Sequence, residues 1–313
     1  MPSNFYGRFQ NFCLDSGNEH STLPVCYLFS ESPARGGQAP YFAVAPYAGN
    51  NACSLEGISL KGGGHLANLG SILFAFIAIL VSLFLFWRSD RKKAAVGRRE
   101  MQFFLVGYII IEICEIFSIG GFPLDGAVRR VFAAIHIASI VATLWILMMN
   151  GAVGFQLIDD GTIVSIGLIF GSAAALFVGT GYIALDTGFS WTTYWVPTIT
   201  APNQAYALYT LYQLVPLIFL VVFFILETIL VLRVLGEVRP MLYLVAAALF
   251  FAIGQIFQYV VSQYICRGTH GAINGGMFET LFTLLAVVSI WVFWSSITED
   301  DWPSAPPGGS TYT

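Results

Sequence analysis

Residues 87–100 read WRSDRKKAAVGRRE, and their charge and position decide the fold. Six of the chain's 14 Lys and Arg residues stand here: Arg88, Arg91, Lys92, Lys93, Arg98 and Arg99. Apolar runs flank the stretch on both sides, Leu66–Trp87 and Met101–Phe122. Each is long enough to cross about 30 Å of hydrocarbon, which takes ~20 helical residues at roughly 1.5 Å apiece. A short basic loop between two spanning helices stays in the cytoplasm, because positive charge resists translocation. Fixing that loop gives every other loop a side. A solvated charge run on a soluble protein would not have flanks this long and this apolar.

Working outward, the 313 residues are 57% hydrophobic and only 10% charged, against about 25% charged in an ordinary soluble domain. Seven apolar runs follow residue 65: 66–87, 101–122, 131–154, 163–185, 204–232, 241–265 and 275–297. Backbone groups in lipid must be satisfied internally, so the runs are predicted as helices. The expected fold is an all-α integral membrane protein with seven transmembrane helices, its N-terminus lumenal and its C-terminus cytoplasmic. On this assignment the cytoplasmic loops hold the six basic residues above plus Arg233 and Arg239. Short lumenal loops hold Arg129, Arg130 and Arg267, and the bias agrees with the positive-inside rule. The opening residues, MPSNFYGRFQNF, lack a basic stretch followed by an apolar core, so the first run is expected to act as an uncleaved signal anchor. Three parts result: a lumenal, Cys-containing segment at 1–65, a seven-helix bundle at 66–297, and an acidic, disordered cytoplasmic tail at 298–313. The bilayer is the obligatory partner. Nucleic acid is not expected, since topology accounts for the one basic cluster.

Several constellations stand out inside the runs. Gly167, Gly171, Ala175 and Gly179 are spaced by four in the fourth run, a flat face for close helix packing, expected within the bundle, with another protein as the alternative neighbour. Ionisable or polar groups fall at Glu112, Glu115, His136, Glu227, Gln255, Gln258 and Glu279, with Asn150 and Gln213 as further candidate partners. A charge at mid-membrane costs at least ~2.5–3.5 kcal/mol, so these groups should face the bundle interior or lie near a helix end. They read either as a proton or cation path or as a polar network that fixes helix register. Pro216 predicts a kink in the fifth run, because proline removes a helix hydrogen bond. Phe189, Trp191, Tyr194 and Trp195 crowd the loop before it and read as an interfacial aromatic belt or as a lid.

Cys13, Cys26, Cys53 and Cys266 all fall on the expected oxidising side, and only Cys114 lies within a run. Two disulfides are expected, one tying the N-terminal segment to the last lumenal loop through Cys266; three pairings remain open. Neither a catalytic site nor a metal or other cofactor is expected. The four His are scattered, the last run has no Lys for a retinal Schiff base, and no Gly-x-Ser-x-Gly, phosphate loop or receptor motif appears.

GRREMQFF at 97–104, WILMMNGAVGFQLIDDGT at 145–162, FFAIGQIFQYVVSQYICRG at 250–268 and GGMFETLFTLLAVVSIWVFWSSITEDDW at 275–302 resemble the fungal chitin synthase export chaperones, as does NFCLDSG…LPVC at 11–26. The resemblance runs in order along nearly the whole chain. It implies a multi-pass endoplasmic reticulum membrane protein without catalytic activity, whose client is a chitin synthase and whose work supports cell-wall chitin. Given such a role, Glu299, Asp300 and Asp301 would be a candidate export signal for the vesicle coat, or simply a solvated helix end. A seven-helix transporter or lipid exporter using the intramembrane carboxylates is the alternative.

Overall fold

A computed structural model of the chain describes residues 6–9, 13, 22–29, 55–59, 65–66, 68–92, 95–120, 125–156, 162–192, 194–195 and 204–298. Cys53, Lys93 and the acidic trio Glu299, Asp300 and Asp301 lie outside the described residues.

The described residues form a short helix α1 (Pro24–Phe29), a paired stretch β1 (Ile58–Ser59) and β2 (His65–Leu66), and seven long helices. The long helices are α2 (Leu69–Arg91), α3 (Arg98–Ser118), α4 (Gly126–Val153), α5 (Ile163–Phe189), α6 (Tyr206–Leu235), α7 (Arg239–Gly268) and α8 (Gly276–Ile297). All seven are long and apolar enough to cross a membrane. Asn68 starts α2 by accepting the Ser71 N–H at 3.3 Å, and Thr162 starts α5 by accepting the Ser165 N–H at 3.2 Å. Each side chain satisfies one of the donors that a helix start leaves orphaned.

The helices outrun the apolar segments. Arg88 and Arg91 sit in the last turn of α2, where a positive charge meets the negative end of the helix dipole. Arg98 and Arg99 open α3. The basic stretch expected as a loop is therefore mostly helix, because the backbone ladder does not stop where the side chains turn polar. Arg233 and Arg239 are likewise helical, which leaves a tight turn through Gly236 at φ +70°.

α4 is the central element, packed on α3, α5 and α6; α8 packs on α7 and α2, and α2 on α3. α6 and α7 are joined by the short turn but share no extended packing face. Two of the close approaches at glycines hold helix against helix. A Cβ on Gly107 of α3 would collide with the Thr143 hydroxyl of α4. A Cβ on Gly275 would collide with the Phe257 carbonyl oxygen and stand 2.8 Å from Ser262 Cα. Pro216 does not simply kink α6. The residues before it, Thr210–Leu214, widen into a π-helical turn, which relieves the clash between the ring and the preceding carbonyls. α7 carries a second such stretch at Phe257–Val261.

At one end of the bundle, the cap face, α1 inserts between helix ends. Val25, Tyr27, Leu28 and Phe29 are buried, together with Phe9, against Ala133, Ile137, Ala184 and Leu208. At the other end, the basic face, the α2–α3 connection is clasped onto α8 and α4. The Trp291 indole donates to Ser89 Oγ (2.7 Å), Trp294 to the Val96 carbonyl (2.9 Å), Lys92 to the Ser295 carbonyl (3.1 Å) and Asn150 to the Gly97 carbonyl (3.2 Å).

Candidate functional site

Between α3, α4, α6, α7 and α8 lies a cavity of about 410 Å³. Its polar half lies toward the cap face. Glu112 and Glu115 enter from α3, His136 from α4, Gln213 and Tyr212 from α6, Gln255, Gln258 and Tyr259 from α7, and Glu279 from α8. Its other half, toward the basic face, is apolar: Phe104, Leu147, Phe224, Ala247 and Ile290. Two of the three π-helical stretches feed the polar half, Tyr212 and Gln213 from one and Gln258 and Tyr259 from the other; the third, Leu230–Leu235, ends α6 away from the cavity. A π turn re-aims the side chains it carries, and such turns recur at functional sites.

Two of the three carboxylates accept hydrogen bonds, and none of the lining residues offers a Lys or Arg countercharge. Glu115 Oε1 accepts from the Thr280 hydroxyl at 2.6 Å, and Glu279 Oε1 from Thr283 at 2.9 Å. Tyr108 lies beside Glu112, yet its hydroxyl and Glu112 Oε2 are buried without a hydrogen bond of full geometry. The Ser118 hydroxyl gives its one proton to the Cys114 carbonyl (2.7 Å), so His136 Nδ1 must donate to Ser118 Oγ (3.3 Å). In the neutral ring, that leaves Nε2 as an acceptor. The Tyr259 hydroxyl donates to Gln213 Oε1 at 3.1 Å across the α6–α7 gap. None of the lining residues is Lys, Arg, Ser or Cys. Among the described residues, no grouping of three His, Cys, Asp or Glu is placed to hold a metal ion. The arrangement can bind a hydrogen-bond donor.

The cap closes the polar end. Pro24 of α1 lines the cavity, and Gln258 Nε2 donates to the Thr22 carbonyl at 3.3 Å. A Cys13–Cys26 disulfide ties α1 to the chain before it. Arg129 lies over the Tyr27 ring, 5.6 Å from its centroid. Burial pushes the Tyr27 phenol up to about 12, against the pull of that guanidinium. Arg130 donates to the Gly188 carbonyl (3.0 Å) and stacks over Phe189. Cys266 is disulfide-bonded and buried at the end of α7, whereas Cys114 is a buried free thiol.

The other sequence-predicted residues are placed differently. The small-residue face of α5, expected inside the bundle, points outward. Gly167, Gly171, Ala175 and Gly179 are all exposed, and a Cβ on any of the three glycines would meet nothing within 4 Å. Spacing fixes how flat a helix face is, not where it points; α5 instead packs through Ser165, Ile169, Ala173 and Thr180. Glu227 is buried near Gly151, away from the cavity, and its Oε2 has no hydrogen-bond partner. Asn150 serves the basic-face clasp and His136 serves Ser118, so neither pairs with a carboxylate. Thr280 and Thr283, which do, went unnoticed in the sequence, although Thr283 lies one helical turn from Glu279. Asp186 was missed as well. Fully buried at the end of α5, it accepts from the Thr192 N–H (2.6 Å) and hydroxyl (2.7 Å), fixing the turn that carries Trp191.

The chain matches the family model described as chitin synthase export chaperone over residues 5–306. Curated proteins of that name are similar along its length. The Coccidioides immitis protein is 30% identical over 297 residues, covering 95% of this chain and 83% of that protein. The Chaetomium globosum protein is 30% identical over 226 residues, covering 72% and 66%. The Aspergillus fumigatus protein is 27% identical over 297 residues, covering 95% and 84%. No solved structure matches the chain.

Proposed function

The chain belongs to the chitin synthase export chaperone family, and from that membership we propose that it binds a chitin synthase in the endoplasmic reticulum membrane and holds it competent for export. The observation that carries this reading is the match over 95% of the chain to a protein of that name. The role is that of a binding protein, not an enzyme, and the membership favours it over a transporter or lipid exporter. The basic bias at 88–99 supports a cytoplasmic basic face, which puts the cap face and residues 1–65 in the lumen. The oxidised Cys13–Cys26 pair is in keeping with that compartment.

An escort of this kind must recognise another polytopic protein within lipid, where hydrophobicity cannot drive helix association. The exposed small-residue face of α5 and the acceptor-lined cavity are the two features suited to it. Glu299, Asp300 and Asp301 are proposed as a coat-directed export signal in a cytoplasmic tail. Replacing all three with Ala should slow exit of the synthase without weakening its binding, and an unchanged exit rate removes that assignment.

The primary test is the location of a fluorescently tagged chitin synthase in cells with and without this protein. Retention of the synthase in the endoplasmic reticulum, with other membrane cargo leaving normally, is the expected result. Normal delivery would overturn the reading.

A further inference from the structure

Resting on the escort reading, we propose that the cavity between α6 and α7 is a lateral port that receives a Lys or Arg side chain from a membrane-spanning helix of the client. The cavity reaches the lipid-facing surface, because Leu217 lines it and is 52% exposed. Its flanking helices share no extended packing face to close the gap, whereas α1 covers the cap end at Pro24. Entry is therefore sideways, from the bilayer.

The lining chemistry selects the occupant. A carboxylate only accepts hydrogen bonds. Glu115 and Glu279 each have one oxygen engaged by a threonine, Glu112 Oε2 is buried without a partner, and His136 presents an acceptor nitrogen. Three carboxylates without a countercharge call for a cation that donates several hydrogen bonds, which an ammonium or guanidinium does. Among the described residues no grouping of three His, Cys, Asp or Glu is placed to hold a metal ion, and an organic cation with several N–H donors matches the acceptors present. The same carboxylates repel phosphate, which argues against the common phospholipid headgroups. The apolar half suits the methylene stem that carries a Lys or Arg head. A spanning helix can also present its charge at any depth. Glu112 lies about six residues, roughly 9 Å, from the cap end of α3. A client helix with an unassembled basic residue would be costly in lipid, and this port would shield it.

The test uses the full-length protein in microsomes containing the synthase. A photo-crosslinking amino acid replaces Leu217 at the mouth and, in a separate variant, Leu73 on the exposed side of α2. The expected result is a crosslink from position 217 to a synthase peptide that carries Lys or Arg within a spanning segment. Adding Glu112→Gln and Glu279→Gln should lower that yield ~30-fold or more, as when a buried charge loses its partner. Glu279→Asp should retain part of it. Protein abundance and the Cys13–Cys26 disulfide are measured alongside, so that misfolding is not read as lost binding. A crosslink to lipid alone, to a peptide without a basic residue, or at a yield insensitive to the Gln variants overturns the port. If position 73 traps the synthase and position 217 does not, the port is wrong and the escort reading stands. If neither position traps it and the synthase exits normally without this protein, the escort reading has failed.

Discussion

Breaking the Cys13–Cys26 bond should loosen the cap by an amount that the chain itself sets. The two cysteines are 13 residues apart, and closing a loop of that length removes unfolded-chain entropy equivalent to about 3 kcal/mol near room temperature. The cap is also held by its packing, through Val25, Tyr27, Leu28 and Phe29, by the Gln258–Thr22 hydrogen bond and by Arg129 over Tyr27. Those contacts survive in Cys13→Ser or Cys26→Ser, so α1 should still dock but open more often. A 3 kcal/mol change is roughly a 100-fold shift in an opening equilibrium. Hydrogen exchange by mass spectrometry, with the protein in lipid nanodiscs, reads it directly. Amides of Val25–Phe29 should lose protection by about that factor, while amides in the middle of α4 keep theirs as an internal reference. Both single variants and the double should agree, because each removes the same bond and the effects cannot add. Protection unchanged within ~3-fold would refute the argument, meaning that the non-covalent contacts alone set cap opening.

Gly275→Ala should lower the thermal midpoint in detergent by the equivalent of ~1–3 kcal/mol, since the added methyl meets the backbone of α7 and cannot be relieved by a side-chain rotation. Ser89→Ala should cost more than Trp291→Phe. The first leaves a buried indole N–H without an acceptor, at ~1–3 kcal/mol, whereas after the second the Ser89 hydroxyl still donates to the Leu85 carbonyl. Equal losses in the two midpoints would argue against the clasp as described. Gly171→Leu and Gly179→Leu should leave the midpoint of the isolated protein within about 0.5 kcal/mol, as for surface substitutions, because nothing lies within 4 Å of either position. A large loss would place that face inside the bundle.

The seven spans were legible because each apolar run is longer than the bilayer needs, so no tertiary contact had to be guessed. Their ends were not. Counting apolar residues stopped α2 at Trp87, whereas the helix continues through Arg88 and Arg91. α1 left no trace, since PVCYLF is too short to show a period and its burial depends on Ala133, Ala134 and Ala184 from distant helices. Glu112 and Glu115 announced themselves by their spacing. Their convergence with Glu279 did not, because the bond that joins the two regions, Thr280 to Glu115, spans 165 residues of sequence.

The buried polar groups fall into two kinds, and the difference separates fold from function. Ser89 with Trp291, Asn150 with Gly97 and Ser118 with His136 are paired at good distance, and each fixes the register of one helix against another. Such pairs keep most of what they lose on leaving water. The cavity carboxylates are not of this kind. Each ionised group at depth costs ~2.5–3.5 kcal/mol, and one threonine hydrogen bond returns only about 1 kcal/mol. Glu112 Oε2 lacks even that partner. An apolar residue of similar size at these positions would give a more stable bundle. Register accounts for one of them at most: the Thr280–Glu115 bond joins α8 to α3, whereas Glu279 is bonded by Thr283 of its own helix. Stability therefore favours removing these three groups, and the two helices that border them on the lipid side meet across the gap through the Tyr259–Gln213 hydrogen bond. Unsatisfied acceptors beside an unsealed gap are what remains when a bundle is shaped for something that is not part of it.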